Sequence, residues 1–117
     1  MTLNNYWLDT PILVTGATGI VGSWMCSELL NRGAAVVALV KDSDPRSELF
    51  RTGNINRITV VNGDLQDYWT VERAINEHGI QVVLHLGAQA IVGAAFRSPL
   101  PTFETNIRGT YNLLEAC

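Results

Sequence analysis

Pro11-Ile12-Leu13-Val14-Thr15-Gly16-Ala17-Thr18-Gly19-Ile20-Val21-Gly22 passes from a short apolar run into three glycines spaced G-x-x-G-x-x-G. Pro11 to Thr15 is too short for a helix, and proline is tolerated where a strand begins, so the run predicts a buried parallel strand. Past Gly19, apolar residues recur at Ile20, Trp24, Cys26, Leu29 and Leu30 as far as Arg32. That recurrence predicts a helix, and Gly33 follows it where a left-handed residue ends one. A glycine turn between strand and helix lets backbone N–H groups, at the positive end of the helix dipole, approach a pyrophosphate. The competing reading is a tight turn that holds no ligand. A P-loop is excluded, because no Gly-Lys-Ser or Gly-Lys-Thr follows.

The rest of the chain repeats the alternation. Ala35 to Val40 is an unbroken apolar run, as expected of a strand covered on both faces. Asp42 to Asp44 with Pro45 supply cap chemistry for a short helix through about Arg51, and Ile58 to Val61 predicts a third strand. Asp67 caps a helix that turns Val71, Ala74 and Ile75 inward and stops at Gly79; Ile80 to Leu86 predicts a fourth strand. Ser98 and Pro99 open a last helix nearly to Cys117, whose apolar positions Leu100, Phe103, Ile107, Tyr111 and Leu114 fall on one face. The predicted fold is α/β, a Rossmann-like doubly wound parallel sheet of about four strands with flanking helices.

With 117 residues, 47% hydrophobic and 16% charged, the chain holds one globular domain at most. A net charge of -3 rules against a nucleic-acid surface and leaves anion binding to local donors. No apolar run reaches the roughly 18 to 20 residues that span a bilayer, and Met1 to Thr10 has no signal-peptide pattern, so the expected location is the cytoplasm. Cys26 and Cys117 form neither a C-x-x-C pair nor a metal-ligand spacing, which fits a reducing compartment and no metal.

Candidate site residues gather where strands end. About 20 positions past the glycines, Asp42 could accept from the ribose hydroxyls of NAD, whereas Lys41, the only lysine, could pair with the 2′-phosphate of NADP. Ser43 could donate to either, and solvated loop charges are the alternative for Lys41 and Asp42; the balance falls to NADP. Asp64, after the third strand, could meet an adenine amino group or close its own turn. His85 reads as a satisfied core histidine, His78 as an exposed group near a helix end, and Cys26 as core. The tryptophans Trp7, Trp24 and Trp69 are assigned to packing.

Four blocks in order, Thr15 to Gly22, Gly63-Asp64-Leu65, His85 to Gln89 and Thr105 to Thr110, give the chain a family likeness. It resembles the extended short-chain dehydrogenase/reductases, in particular the nucleotide-sugar epimerases and 4,6-dehydratases. Gly22-Ser23-Trp24, Ser47 to Phe50 and Gln89 look like the CDP-glucose and GDP-mannose 4,6-dehydratases. The resemblance implies cofactor contacts at Gly16, Thr18, Gly19, Ile20, Val21 and Gly22, adenine contact at Asp64 and Leu65, and nicotinamide-side contact at Leu86, Gly87, Ala88, Gln89, Ala90 and Thr105. It also implies that Asn106 supports the active site and that the substrate is a nucleotide sugar. Gly87 departs from the usual Ala, and Asp42 from a frequent second basic residue.

The family's Tyr-x-x-x-Lys pair, in which the phenol exchanges a proton, is missing: Tyr6, Tyr68 and Tyr111 are followed four residues on by Thr10, Glu72 and Glu115. The expectation is therefore a partial N-terminal NAD(P)-binding domain over residues 1–117, without the C-terminal substrate domain and inactive alone. An exposed edge and apolar patch would then favour homo-oligomers or self-association. Sedimentation of the cofactor-free chain is expected to show self-association, or a melting temperature that rises with cofactor. A highly stable, monodisperse monomer would contradict this.

Overall fold

The computed structural model describes residues 6–41, 47–87, 97 and 99–117. Four strands, β1 (Pro11–Thr15), β2 (Ala35–Val40), β3 (Thr59–Asn62) and β4 (Val82–His85), form one sheet in the order β3-β2-β1-β4. Every pairing is parallel: Pro11 lies opposite Ala35, Ile12 opposite Val82, and Val37 opposite Thr59. Helices α1 (Ile20–Asn31), α2 (Glu48–Arg51), α3 (Tyr68–Glu77), α4 (Pro99–Phe103) and α5 (Gly109–Ala116) accompany it. A 3₁₀ turn at Asn54–Arg57 precedes β3, and a π-helical stretch at Glu104–Arg108 joins α4 to α5.

The unbroken apolar runs of β1 and β2 have the physical basis expected for them, because side chains alternate across a sheet that is covered on both faces. Ile12, Val14, Val36, Ala38 and Val40 pack with Cys26 and Leu29 of α1 and with Leu49 of α2. Leu13, Val37 and Leu39 turn to the other face, where Val71 and Ile75 of α3, Leu113 of α5 and Leu65 complete a second core. The chain winds outward from β1 to β3, then crosses back to place β4 on the far side of β1. The carboxyl ends of β1 and β4 therefore flank the switch point, where open α/β sheets hold ligands.

Several sequence expectations need correction. The cap of α2 is Ser47, whose Oγ accepts from the Leu49 N–H at 3.3 Å; Asp42 to Pro45 and Ser98 lie outside the described residues. The fourth strand is shorter than Ile80 to Leu86, although Gln81 N–H to the Pro11 carbonyl and Leu86 N–H to the Thr15 carbonyl continue its ladder. On α1 the buried face is Gly22, Ser23, Cys26 and Leu29, while Ile20 and Trp24 are exposed. Trp69 is exposed too, and of the three tryptophans only Trp7 packs on the core.

The largest correction concerns the last helix. Leu100, Phe103, Ile107, Tyr111 and Leu114 do share a face, but every one of them is more than half exposed. Gly109, Asn112 and Leu113 face inward. Gly109 lies so close to Leu65 that an added Cβ would stand 2.9 Å from the Leu65 Cβ. Asn112 Nδ2 donates to the carbonyls of Leu65 at 2.9 Å and Gln66 at 3.1 Å. Satisfying two loop carbonyls and allowing close approach decide the orientation over apolar periodicity. His78, expected exposed, is the half-buried C-cap of α3. Among the described residues no helix is long and apolar enough to cross a membrane.

Leu13 is fully buried in the central strand. Leu13→Ala is expected to lower stability by about 2–5 kcal/mol, read as a fall in the urea midpoint followed by circular dichroism.

Candidate functional site

The site begins with the glycine turn. Gly16 has φ +70°, a left-handed conformation, and a Cβ there would lie 2.6 Å from the Leu86 carbonyl carbon. A Cβ on Gly22 would lie 1.9 Å from the Gly16 carbonyl oxygen, inside any permitted contact. The three glycines therefore fold β1 tightly into α1, and Gly19 N–H donates to the Gly16 carbonyl at 3.1 Å. Gly19 is the N-cap of α1, no side chain caps it, and the first turn carries no acidic residue. The first N–H groups of a helix have no intrahelical acceptor, so this end is an anion site without a carboxylate in competition. Ser23 secures the turn from beneath, its buried hydroxyl donating to the Gly19 carbonyl at 2.6 Å.

The turn opens into a cleft of about 570 Å³ along the carboxyl edge of the sheet. Its floor is the turn itself, with Gly16, Thr18, Gly19, Ile20, Val21 and Gly22; Lys41 follows β2, and Asp64 and Leu65 follow β3. Leu86 and Gly87 follow β4, and Thr105 reaches in from the π-helical stretch. The cofactor contacts predicted from sequence thus meet around one cavity wherever they are described, whereas Asn106, expected to support the active site, is described but does not line it. Asp42, Ser43, Ala88, Gln89 and Ala90 lie outside the described residues. Thr15, Leu39 and Gly63 also line the cleft, and none of them was assigned a cofactor contact from sequence.

Charge in the cleft centres on Lys41, whose Nζ lies 3.3 Å from Asp64 Oδ2. The other carboxylate oxygen, Oδ1, accepts from the Gln66 N–H at 3.0 Å. Asp64 therefore closes its own turn, one of the two alternatives read from sequence, and also lines the cleft. Gln66 in turn donates through Nε2 to the Thr105 hydroxyl at 3.3 Å, linking the loop after β3 to the helical wall.

At the junction of β1 and β4, the Thr15 hydroxyl accepts from the N–H groups of Leu86 and Gly87, each at 3.0 Å. The same oxygen is 2.7 Å from His85 Nδ1, and His85 Nε2 is 3.2 Å from the Thr110 hydroxyl, which donates to the Asn106 carbonyl at 2.7 Å. His85 is thus hydrogen-bonded on both nitrogens, as a satisfied core histidine is, and burial holds it below the ordinary imidazole range. Burial pushes the Cys26 thiol up to about 11, which leaves it inert at neutral pH. Asn112 was missed from sequence, although an Asn inside a helix, where its propensity is poor, is a signal that its amide has another task.

The GDP-mannose 4,6 dehydratase family model matches residues 13–117. The chain is 33% identical over 112 residues to CDP-glucose 4,6-dehydratase of Salmonella typhimurium, covering 95% of this chain and 31% of that protein. It is 39% identical over 111 residues to UDP-glucuronate 4-epimerase 1 of Arabidopsis thaliana, covering 91% of this chain and 26% of the epimerase. Among solved structures, the Thermus thermophilus UDP-glucose 4-epimerase in complex with NAD superposes with a TM-score of 0.79 at 37% identity, over 92% of this chain and 33% of that one. The chain spans about a third or less of the length of these proteins.

Gly22→Ala is expected to displace the turn and lower the melting temperature well beyond Gly79→Ala. Gly79 has a positive φ, +58°, which Gly22 lacks, but a Cβ there meets nothing within 4 Å. Thermal melts of the two variants, compared side by side, check that the cost arises from backbone contact and not from φ alone.

Proposed function

The chain belongs to the GDP-mannose 4,6-dehydratase family, and on that premise we propose that it is the NAD(P)-binding part of a nucleotide-sugar dehydratase or epimerase. The observation that carries this reading is the uncapped α1 terminus behind Gly16, Gly19 and Gly22, whose missing Cβ atoms leave backbone N–H groups open to a pyrophosphate. The donor set fits a dinucleotide along its length. The turn takes the pyrophosphate, Lys41 the ribose end, Asp64 and Leu65 the adenine, and Leu86, Gly87 and Thr105 the nicotinamide end. Asp42, Ser43, Ala88, Gln89 and Ala90 join these contacts in the proposal, with Asn106 supporting the nicotinamide side.

A bound nicotinamide supplies hydride acceptance at sugar C4 and return of that hydride, with loss of water across C5 and C6 between the two events in a dehydratase. This chain's residues orient the dinucleotide and shield its pyrophosphate. None of the three tyrosines has a lysine four residues on, so proton exchange with the sugar falls outside residues 1–117, and these residues are proposed to bind cofactor without turnover. A non-catalytic NAD(P)-binding or regulatory module is the second reading. The exposed face through Leu100, Phe103 and Ile107 supports self-association.

Cofactor choice rests on Lys41, which Asp64 partly neutralises. One exposed ion pair is worth up to about 1 kcal/mol, or about fivefold in affinity. Titrating the chain with NADPH and NADH, read by nicotinamide fluorescence and thermal stability together, is expected to show NADPH preferred by about fivefold. Lys41→Ala is expected to abolish the difference. Preference for NADH would assign the ribose to Asp42 or to backbone, and a folded chain that binds neither would overturn the cofactor reading.

A further inference from the structure

The hydrogen bonds that meet at His85 favour one placement of their protons. A threonine hydroxyl offers one proton and two lone pairs. The Thr15 hydroxyl oxygen accepts from the Gly87 N–H and from the Leu86 N–H, the latter shared with the Thr15 carbonyl at 3.2 Å, so the hydroxyl proton is directed to His85 Nδ1 at 2.7 Å. Nδ1 is therefore an acceptor, and the ring proton is on Nε2, which donates to Thr110 Oγ1 at 3.2 Å. Thr110 is free to accept because its own proton goes to the Asn106 carbonyl. The relay thus runs in one direction, from the residue before the glycine turn, through β4, to the helical segment that carries Thr105 into the cleft.

We propose that His85 is a positioning residue: as the neutral Nε2–H tautomer it couples the glycine turn to the segment bearing Thr105 and Asn106, and its protonation uncouples them and weakens dinucleotide binding. The last clause rests on the proposed role in cofactor binding. A second ring proton would be placed on Nδ1, facing a Thr15 oxygen that already accepts from the N–H groups of Leu86 and Gly87. The ring or the Gly87 N–H must then give up its partner, or the Leu86 N–H must leave the hydroxyl and keep only the Thr15 carbonyl at 3.2 Å.

No ionised neighbour offsets that conflict among the described residues. β1 carries no titratable residue. On α5, Tyr111 and Glu115 are exposed, and on the π-helical stretch Glu104 is paired with Arg108 at 2.8 Å. Residues 88–96, which follow β4, contain no titratable side chain. Burial is the one cause that shifts His85, and its direction is downward. The neutral ring is therefore the native form above the ordinary imidazole value of about 6.5, and the stability tied to it is lost as pH falls below that value toward the lower native one.

The test uses the whole chain. Two-bond proton–nitrogen NMR correlation of ¹⁵N-histidine-labelled protein at about pH 7.5, well above the ordinary imidazole value, is expected to show Nδ1 unprotonated and Nε2 protonated. The His85 signals are assigned by comparison with His78→Gln. The ring is expected to become doubly protonated only below the ordinary imidazole range. NADH affinity is expected to weaken on acidification by up to about tenfold per pH unit below the ring's titration. His85→Asn, whose Oδ1 accepts where Nδ1 does, is expected to flatten that profile. An Nδ1–H tautomer or an imidazolium under the starting condition overturns the proposal, as do matching pH profiles for the wild type and His85→Asn. If His85→Asn does not fold, the wild-type spectrum and its titration decide. A chain with the expected tautomer that binds neither NADH nor NADPH under that condition overturns the cofactor reading and the coupling to binding, and leaves the proton assignment standing.

Discussion

The structure depends on the close approach of two chain segments at the carboxyl ends of β1 and β4. Gly16 touches the backbone of Leu86 and Gly87 so tightly that no side chain fits between them. The N–H groups of Leu86 and Gly87 at that approach need acceptors, and a donor left without one costs about as much as a good hydrogen bond provides. Thr15 resolves both at once by placing its hydroxyl oxygen 3.0 Å from each. The cleft exists because this junction is closed. With the strand ends held together beneath it, the glycine turn can present the bare end of α1 along the sheet edge.

From that junction outward, polar groups decide geometry that apolar burial alone leaves open. The two cores on either face of the sheet set which elements are layered together. They do not set the rotation of the last helix, which follows from Asn112 satisfying the carbonyls of Leu65 and Gln66 and from the clearance at Gly109. Leu65 thereby serves three surfaces: it is part of the second core, it packs against Gly87 and Gly109, and its carbonyl anchors α5. The loop after β3 is thus bound to the helical wall of the cleft by Asn112 and by the Gln66 to Thr105 hydrogen bond.

Much of this was legible in the residues themselves. β1 and β2 coincide with the runs Pro11 to Thr15 and Ala35 to Val40, because a strand covered on both faces needs an apolar residue at nearly every position. The cap of α3 at Asp67 was legible for a similar reason, since a carboxylate accepting from Trp69 and Thr70 N–H groups is a local device that needs no tertiary partner. Trp24, Trp69 and the stripe through Leu100 and Leu114 misled, because hydrophobicity gives a side chain a reason to be buried but does not say which surface will cover it.

What this chain determined by itself was the alternation of strand and helix, the parallel pairing that follows from it, and the glycine turn with the strand-end residues around it. Those are local properties, set by backbone conformation, periodicity and the size of a missing side chain. Only the tertiary structure decided that Lys41 meets Asp64, that Asn112 and Gly109 turn inward, and that Thr15, His85 and Thr110 form one directed relay. Each of those contacts joins residues from separate elements of the chain. A hydrogen bond or ion pair selects its partner by distance and lone-pair direction, and these exist only once the strands lie side by side.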